Sequence, residues 1–276
     1  MAHITPVTGG EVLSLERSHW HRVFNPHFDT MVSWGYIPGA NPVSYGSTLQ
    51  SAVSGDGEIA FREGARIGYP TDLSASTVYL VSSSASDTGT YSIQGIDANG
   101  DYATATVTAT GTTAVAVSGT WNHVQRCIST SANNVGTVYV STKSGAGVPA
   151  LVGDQIQTVM NVGDNYAINP MLVCPNNQII TVNSFSFSQD VQQAATIRIT
   201  ANRQGMWILN FKFYVGLQDQ FEQPFHTPVR LFEGDKLRVS FRAGGGAAAK
   251  ATLGMNGNVL EYSESSRPGI GLIFGQ

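Results

Sequence analysis

The sequence predicts an all-β protein with two antiparallel β-sandwich, jelly-roll-like domains that follow an irregular N-terminal region. Charged residues make up only 12% of the 276 residues, about half the usual share, so the chain lacks the Glu, Lys and Arg that cover solvated helices. Hydrophobic residues make up 42%, with 12 Phe, 10 Tyr and 4 Trp; this is enough for a sizeable core and too much for disorder. Short runs of alternating apolar and small polar residues, separated by turn signals, are typical of half-buried strands.

Residues 1–70 are the least regular part of the chain. Asn25-Pro26 and Asn41-Pro42 are turn or breaker signals, and large apolar side chains lie around them. We expect an N-terminal arm, or loops, that packs on the first sheet and contacts other subunits. The candidate interface anchors in this region are Trp20, Phe24 and Trp34.

The segment 71–148 is predicted to be the first β-sandwich domain. Residues 91–97 and 102–108 alternate large or apolar side chains with small polar ones, as half-buried strands do. They flank the dipeptide Asn99-Gly100, which tolerates the positive φ angles of a tight turn. This is the clearest hairpin of the chain.

The segment 149–276 is predicted to be the second, jelly-roll-like β-sandwich domain with a short C-terminal tail. The small residues at 144–150 suggest the junction before it. Pro224 and Pro228 indicate that the segment around them is an edge strand or a long connection. The other strands are expected at 179–188, 196–201, 207–215, 236–242 and 249–262.

Two apolar stripes occur in this second domain. Phe185 and Phe187 share one strand face. A second row of apolar side chains shares one face of the predicted strand 207–215. One stripe builds a core, whereas a second must be covered by another domain or subunit. Because charge is sparse, we expect a permanent oligomer. The second row consists of Trp207, Leu209, Phe211 and Phe213.

Charge and cysteine usage exclude several classes of protein. The net charge is −4, and neither half has the basic excess that phosphate contacts need, so we expect no nucleic-acid partner. No run of 18 apolar residues and no signal-like start are visible, so we expect no membrane partner. Cys127 and Cys174 fit neither a metal clip nor a disulfide framework, and we expect two buried thiols in a reducing cytoplasm.

One group of oxygen-bearing side chains resembles part of a calcium loop. Asp97, Asn99 and Asp101 lie within five residues, but the ligand spacing and distal Glu of an EF-hand are missing. A hairpin turn explains the same residues without a metal. The turn is therefore the favoured interpretation, and a weak calcium loop stays as the alternative.

No catalytic constellation is recognisable. The chain has no Gly-x-Ser-x-Gly motif, and Cys127 is preceded by His123 without a supporting motif. The Gly-rich stretch 244–246 lacks the Lys-Ser/Thr of a phosphate loop. We expect no enzymatic activity, no metal and no cofactor. The histidines that lack a companion ligand at metal spacing are His19, His21 and His27.

Residues 91–117, "YSIQGIDANGDYATATVTATGTTAVAV", resemble a segment of structural proteins of tailed bacteriophages with the pattern "IxGxDxNxDxxTxTVTxxGTTAV". The stretches "ATIRITANRQGMWILNFKFYV" and "QPFHTPVRLFEGDKLRVSFRA" extend the similarity, which covers roughly residues 77–262. Members of this family are virion components without known enzymatic chemistry, so the resemblance implies no catalytic residue.

The resemblance implies a virion structural protein, assembled in the bacterial host cytoplasm. We expect a homotrimeric capsid decoration or cement protein that binds the major capsid protein or other virion proteins. The alternative is a tail-fibre or receptor-binding module that recognises a host-surface glycan. Its candidate sugar contacts are Tyr36, Tyr45 and Tyr91.

Overall fold

The structure of the chain is a computed structural model. It describes residues 40–50, 61–63, 66–68, 73–131, 133–150, 154–189, 194–203, 206–215, 220–243 and 250–261. All regular secondary structure in these residues is β-strand. The predicted all-β class is therefore confirmed for the described part of the chain.

Eight strands between residues 79 and 168 pair among themselves. They are β4 (Tyr79–Ser82), β5 (Thr90–Asp97), β6 (Tyr102–Thr108), β7 (Val115–Ala116), β8 (Trp121–Ser129), β9 (Val138–Ser141), β10 (Ile156–Met160) and β11 (Tyr166–Ile168). Two short strands before them, β2 (Phe61–Glu63) and β3 (Arg66–Gly68), form an antiparallel pair.

A second set combines one early strand with seven late ones. Its members are β1 (Ala40–Gln50), β12 (Met171–Val173), β13 (Gln178–Gln189), β14 (Ala195–Arg203), β15 (Met206–Val215), β16 (Gln220–Leu231), β17 (Lys236–Ala243) and β18 (Lys250–Glu261).

These sixteen strands form four antiparallel sheets of four strands each. In the first set, sheet A has the order β10-β9-β4-β7 and sheet B has the order β11-β8-β5-β6. In the second set, sheet C has the order β12-β17-β14-β15 and sheet D has the order β1-β18-β13-β16. Many neighbours in a sheet are distant in sequence, so long-range pairing dominates the fold.

Sheets A and B share one hydrophobic core. Leu80 and Val140 of sheet A are fully buried with Tyr91, Ile93 and other side chains of sheet B. The alternation predicted for the hairpin produces this arrangement, because successive side chains of a strand point to opposite faces. The predicted hairpin is confirmed by the pairing of β5 with β6 from Thr90↔Thr108 to Ile96↔Tyr102.

Sheets C and D share a second core. The rings of Phe187 in sheet D and Phe241 in sheet C lie 5.5 Å apart in a tilted arrangement. Phe185 is completely buried in the same cluster as Ile197. Burial of each such side chain contributes about 1.5–3 kcal/mol, so the Phe185/Phe187 stripe builds a core. For the second stripe, Trp207 to Phe213, the structure describes the backbone alone.

Strand pairing departs from the predicted domain bounds in two places. Residues 40–50, assigned to the irregular N-terminal region, form β1 and pair along their whole length with β18 of sheet D. Residues 156–168, assigned to the second domain, form β10 and β11, which pair with β9 and β8 of the first set. Both departures arise from partners that only the tertiary fold brings together.

Candidate functional site

One surface of the first set, which we call the polar face, is the side of sheet B turned away from the core. On β6, Ala105 and Val107 are buried whereas Thr104 and Thr106 are exposed. The register places Thr104 beside Gln94 of β5, and Gln94 beside Arg126 of β8. The next row across the same strands contains Thr106, Ser92, Ile128 and Tyr166.

Tyr102 lies at the edge of the polar face and keeps 52% of its surface exposed. Its hydroxyl donates a hydrogen bond to Gln94 Oε1 at 3.0 Å. Partial burial raises the pKa of Tyr102, and the positive charge of Arg126 works in the opposite direction. Tyr102, Gln94 and Arg126 therefore form one electrostatically connected group.

Arg126 is half-buried, and its Nε is enclosed without a hydrogen-bond acceptor in the described part of the chain. A buried donor without a partner costs about 1–3 kcal/mol. A guanidinium is a planar cation with five N–H donors and no acceptor. In the described part of the chain, the polar face thus places the Arg126 guanidinium among hydroxyl and amide groups.

The predicted turn at Asp97, Asn99 and Asp101 is present and is closed by its own backbone. Asp97 Oδ1 accepts hydrogen bonds from the amide N–H groups of Asn99 at 2.8 Å and Asp101 at 3.0 Å. Gly100 has φ of +91°, which only glycine adopts without strain. The Asp97 carboxylate therefore stabilises the turn by accepting these backbone hydrogen bonds.

This turn also joins the two sets of strands. Asn176, in the loop between β12 and β13, donates from its backbone N–H to Gly100 O at 2.8 Å and from Nδ2 to Asn99 O at 2.7 Å. The side-chain amide of Asn176 fills the space that a Cβ on Gly100 would enter. The hairpin tip is therefore docked on the second set.

A second junction lies around Met171 of β12. His123 Nε2 lies 2.8 Å from Met171 O, so this nitrogen carries the proton and donates. Gln125 Nε2 donates to the same carbonyl at 3.1 Å. Ile96, Met171 and Val173 form a small buried apolar cluster beside these bonds.

Neither cysteine has the environment of a nucleophile. Cys127 and Cys174 are free thiols and both are buried, as predicted. Burial raises the pKa of Cys127 strongly, and it raises the pKa of Cys174 to about 12. A thiol with such a raised pKa is not ionised near neutral pH, and the thiolate is the reactive form. His123 points to Met171 O rather than activating Cys127.

Two buried carboxylates form structural networks that sequence reasoning missed. Asp87 accepts hydrogen bonds from Ser82 Oγ and from the N–H groups of Val135 and Gly136. Asp235, in the turn between β16 and β17, forms an ion pair with Arg203. No local signal reveals either network, since the partners come from separate segments.

Asp235 and Arg203 form a two-pronged contact. Arg203 donates from Nε to Asp235 Oδ2 at 2.9 Å and from Nη2 to the same oxygen at 2.7 Å. The Phe232 N–H also donates to this oxygen at 2.8 Å, and the Arg203 guanidinium lies over the Phe232 ring at 4.5 Å. The arrangement ties the end of β14 to the turn between β16 and β17.

The remaining predicted site residues are distributed differently. Tyr91 is 1% exposed, so it cannot contact a sugar, and this candidate is wrong. For Tyr45 the structure describes only the backbone of β1. The candidates outside the described residues are Trp20, Phe24, Trp34, Tyr36, His19, His21 and His27.

Within the described residues, no three His, Cys, Asp or Glu side chains are grouped as metal ligands. The same residues contain no helix that is long and apolar enough to cross a membrane.

Comparison with known proteins identifies no family. No protein-family model matches the chain, and no curated protein matches it. Among solved structures, the chain is similar to one described as the structure of infectious bursal disease virus Gt strain, with 10% identity and a TM-score of 0.22, over 86% of this chain and 78% of that one. For the Gx strain of the same virus the identity is 11% and the TM-score 0.23, over 82% and 73%. These scores are too low to support an argument about function.

Proposed function

We propose that this chain is a structural protein of a bacteriophage virion, a homotrimeric decoration or cement protein on the capsid. In this role it binds the major capsid protein or other virion proteins after assembly in the bacterial host cytoplasm, and it performs no chemistry. The resemblance of residues 91–117 to phage structural proteins motivates the proposal.

The strand order of the second set is the observation that carries the proposal. Numbered along the chain, its eight strands have the order 1-8-3-6 in sheet D and 2-7-4-5 in sheet C. This is the order of a jelly roll, an architecture used by many viral coat proteins and also by lectins and other proteins. We therefore assign the second set to a jelly-roll sandwich.

We assign the first set to a sandwich whose strand connectivity differs from that of a jelly roll. Its first strand, β4, lies between β9 and β7 rather than beside the last strand. The whole set is inserted in the connection between β1 and β12 of the proposed jelly roll. In the proposed role, the jelly-roll body would contact the particle and the inserted sandwich would project from it.

In the proposed role, the protein stabilises the capsid by burying surface area at interfaces with neighbouring subunits. Buried apolar area contributes roughly 25 cal/mol per Å², and a stable interface buries about 800 Å² per partner. Interfaces that bridge neighbouring capsid subunits would add this free energy to the shell and oppose the pressure of packaged DNA. A surface poor in charge, as in this chain, favours such association.

Sedimentation and particle labelling test the proposal. Analytical ultracentrifugation of the purified chain is expected to show a trimer, and gold-labelled antibody is expected to decorate phage heads. A stable monomer that labels no part of the virion would overturn the structural role.

The alternative, a tail-fibre or receptor-binding module that recognises a host-surface glycan, is favoured by the polar face of sheet B. Its hydroxyl and amide side chains are the groups that bond sugar hydroxyls. Antibody labelling confined to tails would select this alternative over head decoration.

A further inference from the structure

We propose that the polar face of sheet B contains a binding site for an acidic sugar. In this site Arg126 pairs with the sugar carboxylate, and Gln94, Thr104 and Tyr102 contact the rest of the ring. The inference goes beyond the structural role proposed above, and its failure would leave that role unaffected.

Arg126 has an unsatisfied donor and no ion-pair partner among the described residues. Its Nε is buried without an acceptor in the described part of the chain, and no described carboxylate forms an ion pair with it. A guanidinium presents planar, paired donors that match a carboxylate in a two-pronged contact. Because Nε itself is enclosed, a carboxylate ligand would bind the two terminal nitrogens of the guanidinium, Nη1 and Nη2.

The nearest carboxylate along the hairpin does not compete for Arg126. Asp97 Oδ1 is already bound by the amide N–H groups of Asn99 and Asp101, and Asn99 Nδ2 donates to Asp97 Oδ2 at 3.3 Å. The turn thus satisfies its own carboxylate, and among the described residues Arg126 has no carboxylate partner.

The neighbours of Arg126 favour a sugar over an acidic peptide. Thr104, Gln94 and Arg126 lie side by side on three adjacent strands, about 4.8 Å apart, so their donors and acceptors can reach successive hydroxyls of a sugar. These neighbours carry no second cation that a run of acidic residues would need.

Tyr102 completes the proposed site. Its ring is half-exposed and its hydroxyl is fixed by Gln94. An immobilised aromatic ring with an accessible apolar surface can pack against the C–H face of a sugar at a small cost in side-chain entropy. The hydrogen bond to Gln94 orients the amide of that residue at the same time.

Calorimetry with the full chain tests the proposal. The probes are trigalacturonate and sialyllactose as acidic sugars, the methyl ester of trigalacturonate as a neutral match, and tetraglutamate as an acidic peptide. We expect at least one acidic sugar to bind, the ester to bind roughly tenfold more weakly or not at all, and tetraglutamate not to bind.

Three variants locate the binding. Arg126→Gln is expected to weaken binding of the acidic sugar roughly tenfold or more, because it removes a charge-assisted contact. Thr104→Val changes an exposed side chain that the fold does not use, and it is expected to weaken binding severalfold. Lys143→Gln removes a cation from the loop between β9 and β10, in a different part of the first set, and is expected to leave binding unchanged.

Thermal melting confirms that each variant is folded before its binding is interpreted. The proposal is overturned if neither acidic sugar binds, if the ester or tetraglutamate binds equally well, or if Lys143→Gln weakens binding as much as Arg126→Gln does. If Arg126→Gln fails to fold, Thr104→Val decides: unchanged binding in this variant also overturns the site.

Discussion

Asn176 holds the tip of the β5–β6 hairpin by donating from Nδ2 to the carbonyl of Asn99 at 2.7 Å. This contact joins the two sets of strands, and the backbone N–H of Asn176 reinforces it by donating to Gly100 O. The turn that sequence analysis recognised as local is thus also a long-range junction.

The first prediction concerns this junction. Asn176→Ala removes the side-chain donor and is expected to lower the free energy of unfolding by about 1 kcal/mol. Hydrogen exchange measured by mass spectrometry should accelerate at residues 97–101, because the tip loses its partner. Asn165→Ala, at an exposed asparagine before β11, is the matched control. Equal exchange at the tip in both variants would contradict the role of Asn176.

The second prediction concerns the ion pair between Arg203 and Asp235. The side chain of Asp235 is only 3% exposed, so Arg203→Ala leaves a buried carboxylate without its cation. We expect a loss of about 3 kcal/mol in the free energy of unfolding, measured by urea denaturation. Asp235→Asn leaves the Arg203 cation unpaired, but this side chain is 29% exposed and water can solvate it, so the substitution should cost less.

Lys143→Ala serves as the control for this pair, because it removes a cation that lies in another loop. A loss in Arg203→Ala no larger than in Lys143→Ala would show that the pair contributes little to stability.

Local elements of this fold are predictable from sequence because their determinants are adjacent in the chain. Asn99-Gly100 and the flanking alternation specify the hairpin, and the long strand around Phe185 and Phe187 is present as β13. Pro224 and Pro228 predicted an edge strand or a long connection, and β16 is an edge strand of sheet D. In each case a few neighbouring residues carry the signal.

Non-local features could not be predicted from sequence, because the residues that determine them are far apart in the chain. The partner of β1 is β18, at the opposite end of the described chain. The sequence of residues 40–50 therefore does not predict this pairing. Arg126 has no motif around it, and its place beside Gln94 depends on the register of β8 with β5. Likewise, the contact of Asp235 with Arg203 depends on the tertiary fold, because the two residues lie in separate segments of the chain.

The third prediction is a loss of stability in alkali. Burial, with a smaller contribution from the charge of Asp87, raises the pKa of Tyr91 from 10.0 to about 12, and burial raises the pKa of Cys174 from 9.0 to about 12. The unfolded chain therefore releases these protons at lower pH than the folded chain. Stability is fully present below about pH 9 and falls as the pH rises towards 12.

Urea midpoints measured across this range test the prediction. Tyr91→Phe removes one of the titrating groups, so the decline in stability above about pH 10 should become shallower in this variant. Tyr166→Phe, at a tyrosine that is 51% exposed, should leave the slope unchanged. Identical slopes in Tyr91→Phe and the unmodified chain would contradict the assignment.

The fourth prediction concerns Gly95, which lies at the irregularity where β5 and β8 shift register. A Cβ at this position would collide with the carbonyl oxygen of His123 and lie 2.8 Å from Val124 Cα. These are backbone atoms of a buried strand and cannot rotate away. Gly95→Ala must therefore push β5 from β8, and it is expected to cost about 1–3 kcal/mol.

Gly163→Ala is an informative control, because Gly163 has φ of +81° but no atom within 4 Å of an added Cβ. Its expected cost of about 1 kcal/mol is backbone strain alone. Thermal melting of both variants separates the two effects: a Gly95→Ala protein at least as stable as Gly163→Ala would show that the sheet accommodates the methyl group and that close approach of the strands does not require glycine.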